Sequence, residues 1–234
     1  MASRRVGVAL LAGGIGRRMG GHLPKPLLQV LGHPLIHFSI RVFESIPEVK
    51  AIRIAINPLH TKTLDKVLAP YPRKAYKGWT HGGSTRAGSA LNALRALEKD
   101  GVDTVLVHDA ARPCLEEEDV RDLLDALPGH DGAILTAPTV NTIWKTEGDR
   151  LDETLPREDL AMALTPQAFP YDTILDALTR GADEGFQGPD DASYVRRLGG
   201  EVVGVKGSRW NIKVTYPEDL SLVKVILSGG VGCA

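Results

Sequence analysis

The sequence predicts an α/β fold with a mainly parallel sheet, and three observations lead there. Short apolar runs end in glycine, proline or asparagine, helical patterns separate them, and charged or glycine-rich segments follow several of the runs. Ligands on such sheets bind beyond the carboxyl ends of the strands, so those segments are where a site is expected.

The elements follow in order. Val6–Leu11 is a continuous apolar run, as a strand covered on both faces requires. Arg4 and Arg5 before "VGVALLA" imitate a secretory leader, but two more arginines stand where a small-residue cleavage site belongs, so a buried first strand is the reading. "VKAIRIAIN" (Val49–Asn57) is a second strand. In "TRAGSALNALRALEK", Ala87, Ala90, Leu91, Leu94 and Leu97 share one helical face. "DTVLVHDAARP" contains a third strand. "EEEDVRDLLDAL" puts acids in a first helical turn, where the helix dipole favours them. "GAILTAP" is a fourth strand and "GGEVVGVKG" a fifth. "TYPEDLSLVKVIL" starts with Thr215 and Glu218 at capping-box spacing.

Thr142–Asp159 breaks the rhythm, with Glu147-Gly148-Asp149 between two short β-like pieces. It reads as a hairpin. A two-stranded arm is marginal alone, so it is expected to rest on another subunit. The chain thus reads as one Rossmann-like domain, 1–234, its sheet flanked by helices, with a protruding β-arm within about residues 139–160 that makes a homodimer.

At 234 residues and 43% hydrophobic, the chain can bury a sizeable core. A formal net charge of -1 argues against bulk binding of nucleic acid or an anionic membrane. No run reaches the roughly 18 apolar residues of a membrane span. The two cysteines, Cys114 and Cys233, have no zinc spacing, which suits a reducing cytoplasm.

The opening loop selects among ligand classes. Gly14-Ile15-Gly16-Arg17-Arg18 is followed by Met19, so the third glycine of the dinucleotide fingerprint is missing. The second strand ends at Asn57 rather than near a ribose-binding acid, and no Gly-Lys-Ser/Thr of a Walker loop occurs. A nicotinamide oxidoreductase and an ATPase therefore fit poorly. What remains is a glycine turn whose N–H groups cradle phosphate, at Gly14 and Gly16, with Arg18 and Lys25 neutralising the rest. Pro24 and Pro26 are expected to hold Lys25 extended. His108, a lone histidine at a strand end, reads as a core residue.

Taken together, "AGGIGRRMG…PKPLL", "GGSTRAGSALNAL", "VHDAARP", "LTPQAF" and "NIKVTYPEDL" resemble the nucleotidyltransferase family, and within it the 2-C-methyl-D-erythritol 4-phosphate cytidylyltransferases of the non-mevalonate isoprenoid pathway. The motifs keep the family's order from Leu10 to Leu220. The related ribitol-5-phosphate enzymes more often carry Ser-Val where this chain has Ala110-Ala111.

The resemblance implies transfer of CMP from CTP to a sugar-alcohol phosphate with release of pyrophosphate, in the bacterial cytoplasm. An acceptor phosphate oxygen attacks the α-phosphorus in line, so the task is to hold two anions together. Arg18, Lys25 and Lys213 are the candidate catalytic cations. Asp109 is the candidate ligand for Mg2+, which takes one or two carboxylates together with phosphate oxygens and water. By resemblance, Ala12, Gly13, Gly14, Gly16, Gly82, Gly83 and Ser89 hold the nucleotide. Asp109, Arg112, Thr142 and Arg157 hold the acceptor, the last two from the neighbouring subunit's arm. The sequence alone leaves Arg86 open between ordering this loop and touching phosphate. A non-catalytic nucleotide-binding protein is the alternative outside enzymes. Two departures stand out: Gly13 replaces a common Ala, and Pro189 replaces a Thr that helps hold the acceptor phosphate. Proline offers neither hydroxyl nor N–H. Losing one hydrogen bond to a charged group costs about 1.5–3 kcal/mol, a loss that Ser193 or the Asp190 N–H would have to offset.

Overall fold

The computed structural model describes residues 4–14 and 23–230. Gly16, Arg17, Arg18 and Cys233 lie outside the described residues. In chain order the elements are β1 (Val6–Leu11), the small hairpin β2 (Gln29–Val30) and β3 (His33–Pro34), α1 (Leu35–Ser45), β4 (Val49–Ile56), α2 (Thr61–Leu68), β5 (Tyr76–His81), α3 (Arg86–Leu97) and β6 (Thr104–Asp109). There follow α4 (Glu117–Ala126), β7 (Gly132–Pro138), β8 (Ile143–Glu147), β9 (Arg150–Leu155), β10 (Ala161–Pro170), α5 (Tyr171–Asp183), α6 (Asp191–Arg197), β11 (Val202–Lys206) and α7 (Pro217–Leu227).

Seven strands form one sheet in the order β11-β7-β10-β6-β1-β4-β5. Only β10 runs antiparallel to its neighbours in that sheet. The expected mainly parallel α/β sheet is therefore what the chain builds. β1 shows why its run is apolar throughout. Val6, Val8 and Leu10 enter one core, with Phe43 of α1, Leu64 of α2 and Leu123 of α4. Ala9 and Leu11 enter the opposite core, with Leu94 of α3, Ile174 of α5 and Val195 of α6. Side chains alternate across a strand, so helices on both faces demand apolar residues at every position. A smaller cluster joins Val223 of α7 to Val30, Leu35 and Phe38.

Two local expectations need correcting. Lys25 is not extended: Lys25–Leu27 form a 3-10 turn. The Leu27 and Leu28 N–H groups donate to the carbonyls of Pro24 and Lys25. A proline in a first turn forfeits no helical hydrogen bond, because that N–H has no intrahelical partner. The α7 cap lies one residue later than expected, at Tyr216, and its acid is Asp219. That carboxylate accepts the N–H groups of Thr215 at 2.7 Å and Tyr216 at 2.8 Å.

The expected hairpin forms as β8 paired antiparallel with β9, Ile143 opposite Leu155. Side chains 144–154 along it are exposed, Trp144 and Leu151 among them.

Candidate active site

Three strand ends meet one cavity of about 680 Å3. β1 contributes Leu11 and runs on into Gly13 and Gly14. β5 leads into the Gly83–Thr85 loop and the start of α3. β6 ends on Asp109. Lys25 and Lys213 complete the walls. Backbone bonds staple the loops to neighbouring strands: Ala12 N–H donates to Ala55 C=O and Gly82 N–H to Ile56 C=O, each at 2.8 Å.

The β5–α3 loop is shaped by close approach. A Cβ on Gly83 would stand 2.6 Å from the Gly88 carbonyl carbon and 2.8 Å from the Ser89 nitrogen, so only glycine fits. Ser89 Oγ accepts the Gly83 N–H at 3.0 Å and donates to Thr85 C=O at 2.9 Å. Its hydroxyl thus orders the loop while lining the cavity. Thr85 caps α3, accepting the Gly88 N–H. The N-terminal end of α3, where the helix dipole is positive, stands at the cavity wall.

Asp109 is the hub. Its Oδ2 accepts from Lys213 Nζ at 2.7 Å, and its Oδ1 accepts from Arg86 Nε at 3.0 Å. Arg112 Nε stands 4.0 Å from Oδ2. Burial opposes ionisation of Asp109. The Arg86 and Lys213 charges outweigh it and hold the carboxyl well below the usual carboxylate range. Arg86 also donates through Nη1 to Asp191 Oδ2 at 2.7 Å. Burial disfavours its charge too, yet Asp191 and Asp109 together raise its pKa. Asp191 is fully buried, and burial lifts its carboxyl although Arg86 opposes the shift.

The segment carrying Lys213 is tied down by its neighbours. Asn211 Nδ2 donates to Thr165 C=O at 2.8 Å, Arg112 Nη1 to Asn211 C=O at 2.7 Å, and Val214 N–H to Ala111 C=O at 2.8 Å. Arg112 is thus committed to this segment and is not among the cavity-lining residues. Nor are Ala12 and Gly82, which sit at the roots of the lining loops. Thr142 and Arg157 are exposed just before and just past the hairpin, outside the cavity wall.

His108 is a core residue, as expected. Its Nδ1 is 3.1 Å from Thr165 Oγ1, which also accepts the Asp109 N–H. Its Nε2 faces Ser39 Oγ at 3.2 Å and Arg112 C=O at 3.3 Å. A neutral ring with its proton on Nε2 satisfies both sides. Burial pushes its pKa down from 6.5 to about 3. Between those values the unfolded chain binds a proton that the folded one refuses, so stability falls as pH drops below 6.5. Relative to His108→Gln, the wild type should lose about 1.4 kcal/mol per pH unit across that interval. Urea denaturation of both proteins from pH 4.5 to 7.5 reads the difference, and parallel stability curves would refute the assignment.

Reasoning from the sequence missed Asp191, Thr165 and Asn211. Each acts through a neighbour distant in the chain. The only available signal was a polar residue embedded in a motif ("PDDAS", "LTPQ", "NIKVT").

Glycine loops, a helix N-terminus and basic side chains around one carboxylate, at the carboxyl ends of a mainly parallel sheet, make an α/β protein whose cavity suits an anionic ligand. The chain belongs to the IspD family: residues 6–229 match the family model described as 2-C-methyl-D-erythritol 4-phosphate cytidylyltransferase. It is 37% identical over 231 residues to the protein of that name from Haemophilus influenzae, covering 97% of this chain and 98% of that protein. It is 35% identical over 232 residues to the Acidobacterium capsulatum protein of the same name, covering 95% and 97%. Its fold is similar to the crystal structure of the Thermus thermophilus enzyme, with a TM-score of 0.76 at 28% identity, covering 97% of this chain and 99% of that one.

Proposed function

We propose that this chain transfers CMP from CTP to 2-C-methyl-D-erythritol 4-phosphate, giving 4-(cytidine 5'-diphospho)-2-C-methyl-D-erythritol and pyrophosphate. The observation that carries the reading is the Asp109 hub, with Lys213 and Arg86 on its two oxygens at a cavity walled by glycine loops. An acceptor phosphate oxygen forms the new bond to the α-phosphorus, and the bond from that phosphorus to the bridging oxygen breaks. Pyrophosphate leaves with the electron pair. The attacking oxygen is already anionic at neutral pH, so no general base is needed. What the protein supplies is fixed positive charge where negative charge accumulates.

Lys25, Lys213 and Arg18 are assigned to the reacting phosphates. Ala12, Gly13, Gly14, Gly16, Gly82 and Gly83 are assigned to the nucleotide through their backbone, with Ser89 holding the Gly83 turn. The donor set suits Mg2+ brought in with the triphosphate: one permanently ionised carboxylate, Asp109, lines the cavity, and phosphate oxygens and water would fill the remaining positions. Among the described residues no group of three or more His, Cys, Asp or Glu side chains could cage a metal. Bound Mg2+ would neutralise phosphate charge. No described helix is long and apolar enough to cross a membrane; the low cysteine count favours a reducing cytoplasm, and the proposed pathway a bacterial one.

Asp109 is assigned to the acceptor, with Arg112 behind it holding the Lys213 segment through the Asn211 carbonyl, together with Thr142 and Arg157 reaching in from the partner's hairpin in a homodimer. The exposed apolar residues Trp144, Leu151 and Met162 support that docking. Arg157→Ala should raise the acceptor's KM about tenfold or more while leaving that of CTP nearly unchanged. Mixing Arg157→Ala with Asp109→Ala chains should restore activity, because one site of each hybrid is intact. Equal effects on both KM values, or no restoration, would end the shared-site assignment.

Pro189 bears on acceptor choice. It is exposed just before Asp190, which caps α6, and the Ser193 hydroxyl is already donating to Asp190 C=O at 2.6 Å. Pyrophosphate release with CTP and Mg2+, compared across methylerythritol phosphate and ribitol 5-phosphate, tests the reading. Preference for ribitol 5-phosphate would replace the acceptor, and turnover with neither would reject the reaction.

A further inference from the structure

Asp191 is a carboxylate with no exposure at all, and its Oδ2 accepts from Arg86. Among the described residues, its Oδ1 and the Arg86 Nη2 are both buried without a hydrogen-bond partner. Desolvating a charge pair is expensive, and a pair that leaves polar atoms unsatisfied is a poor source of stability. Its value lies elsewhere, and its geometry points to where.

We propose that Asp191 is a positioning residue for the transfer reaction, acting through Arg86 to set how Arg86 grips Asp109. The inference rests on the cytidylyltransfer reading above. A guanidinium beside a carboxylate favours a bidentate grip on both oxygens. Here Arg86 takes only Oδ1, through Nε, while its Nη1 is held 2.7 Å from Asp191. Oδ2 is thereby left facing Lys213. Without Asp191 the guanidinium is free to turn and capture both oxygens, displacing Lys213 from Oδ2 and so from the place where it meets an incoming phosphate.

The backbone fixes the separation of the two carboxylates. β10 lies beside β6, with Gln167 opposite Val107, two residues before Asp109. The Gln167 amide grips the first turn of α6 at both ends. Its Oε1 accepts the Ala192 N–H at 3.0 Å, and its Nε2 donates to Asp190 Oδ2 at 2.9 Å. Asp191 therefore stands at a set distance from Asp109, and Arg86 spans the gap.

A double-mutant cycle of Asp191→Asn and Arg86→Lys tests this. Asparagine keeps the volume and an acceptor, and lysine cannot make the bidentate grip. Asp191→Asn should lower kcat about tenfold while the KM for CTP moves by less than about threefold. In the Arg86→Lys background the same change should lower kcat by less than about twofold, because nothing is left to misdirect. Additive losses, or KM values that rise together with a fall in Tm, would mark Asp191 as merely structural and overturn the inference alone. Wild-type failure to turn over CTP and acceptor would overturn the inference and the reading together. Should Asp191→Asn not fold, Asp191→Ser carries the test: about a tenfold lower kcat without a raised CTP KM, shrinking to less than about twofold in the Arg86→Lys background, supports the inference, and wild-type kcat overturns it.

Discussion

Replacing Asp109 by asparagine is expected to lower kcat by about 10²–10³-fold, the scale on which preorganised electrostatic groups act, and to destabilise the fold by about 3 kcal/mol. Both effects have one origin. Asp109 is 7% exposed and neutralises Arg86 and Lys213 directly, with Arg112 at 4.0 Å. Removing its charge leaves cations facing one another in a partly dry pocket, and breaking a buried pair from one side strands the other member. The added positive charge should not weaken CTP binding, so the KM for CTP should change less than kcat. The pH dependence has a definite sign. The folded carboxyl titrates below the ordinary value of 3.8, so its stabilisation is complete above that value and disappears as pH falls below it. The gap in stability between wild type and Asp109→Asn should therefore be flat near neutrality and close in acid. Steady-state kinetics and urea titration check the two halves, and wild-type turnover by the variant would remove Asp109 from the mechanism.

Lys213→Met should produce the complementary result: kcat lower by about 10²-fold, with stability changed by less than about 1 kcal/mol. Its side chain is 43% exposed, so solvent screens the ion pair with Asp109, and methionine keeps the aliphatic stem. Catalysis and stability thus separate at Lys213 and move together at Asp109. Lys213→Arg should restore little, since a planar fork does not replace a compact ammonium. Unchanged kcat in Lys213→Met, or a loss of activity that merely tracks unfolding, would contradict its role at the reacting phosphates.

The strands visible in the sequence are those whose environment is uniform. β1, β4, β6 and β7 carry apolar runs because helices cover both faces, and periodicity reports that directly. β5 and β10 escaped notice for different reasons. β5, "YKGWTH", lies at the sheet's edge, half exposed, with Gly78 at a φ of 109°. β10, "AMALTPQAFP", holds two prolines and a buried glutamine, which break the apolar pattern of a strand; Gln167 is buried because it grips α6. The cap of α7 was misplaced by one residue because Thr215, Tyr216, Glu218 and Asp219 offer two overlapping registers. The candidate site was legible where residue type and strand end coincide, as at Asp109, while Gly83 and Lys213 were legible through the family motifs around them.

By itself the sequence determined the α/β class and the hairpin, and it nominated a glycine turn and several cations for phosphate, since propensity, periodicity and charge are properties of neighbouring residues. Only the tertiary structure decided that β10 would insert between β6 and β7, and which cation answers which carboxylate. Lys213 meets Asp109 across 104 residues and Arg86 meets Asp191 across 105. The energy of such pairs depends on separation and on exclusion from water, and neither exists until the sheet brings distant segments together.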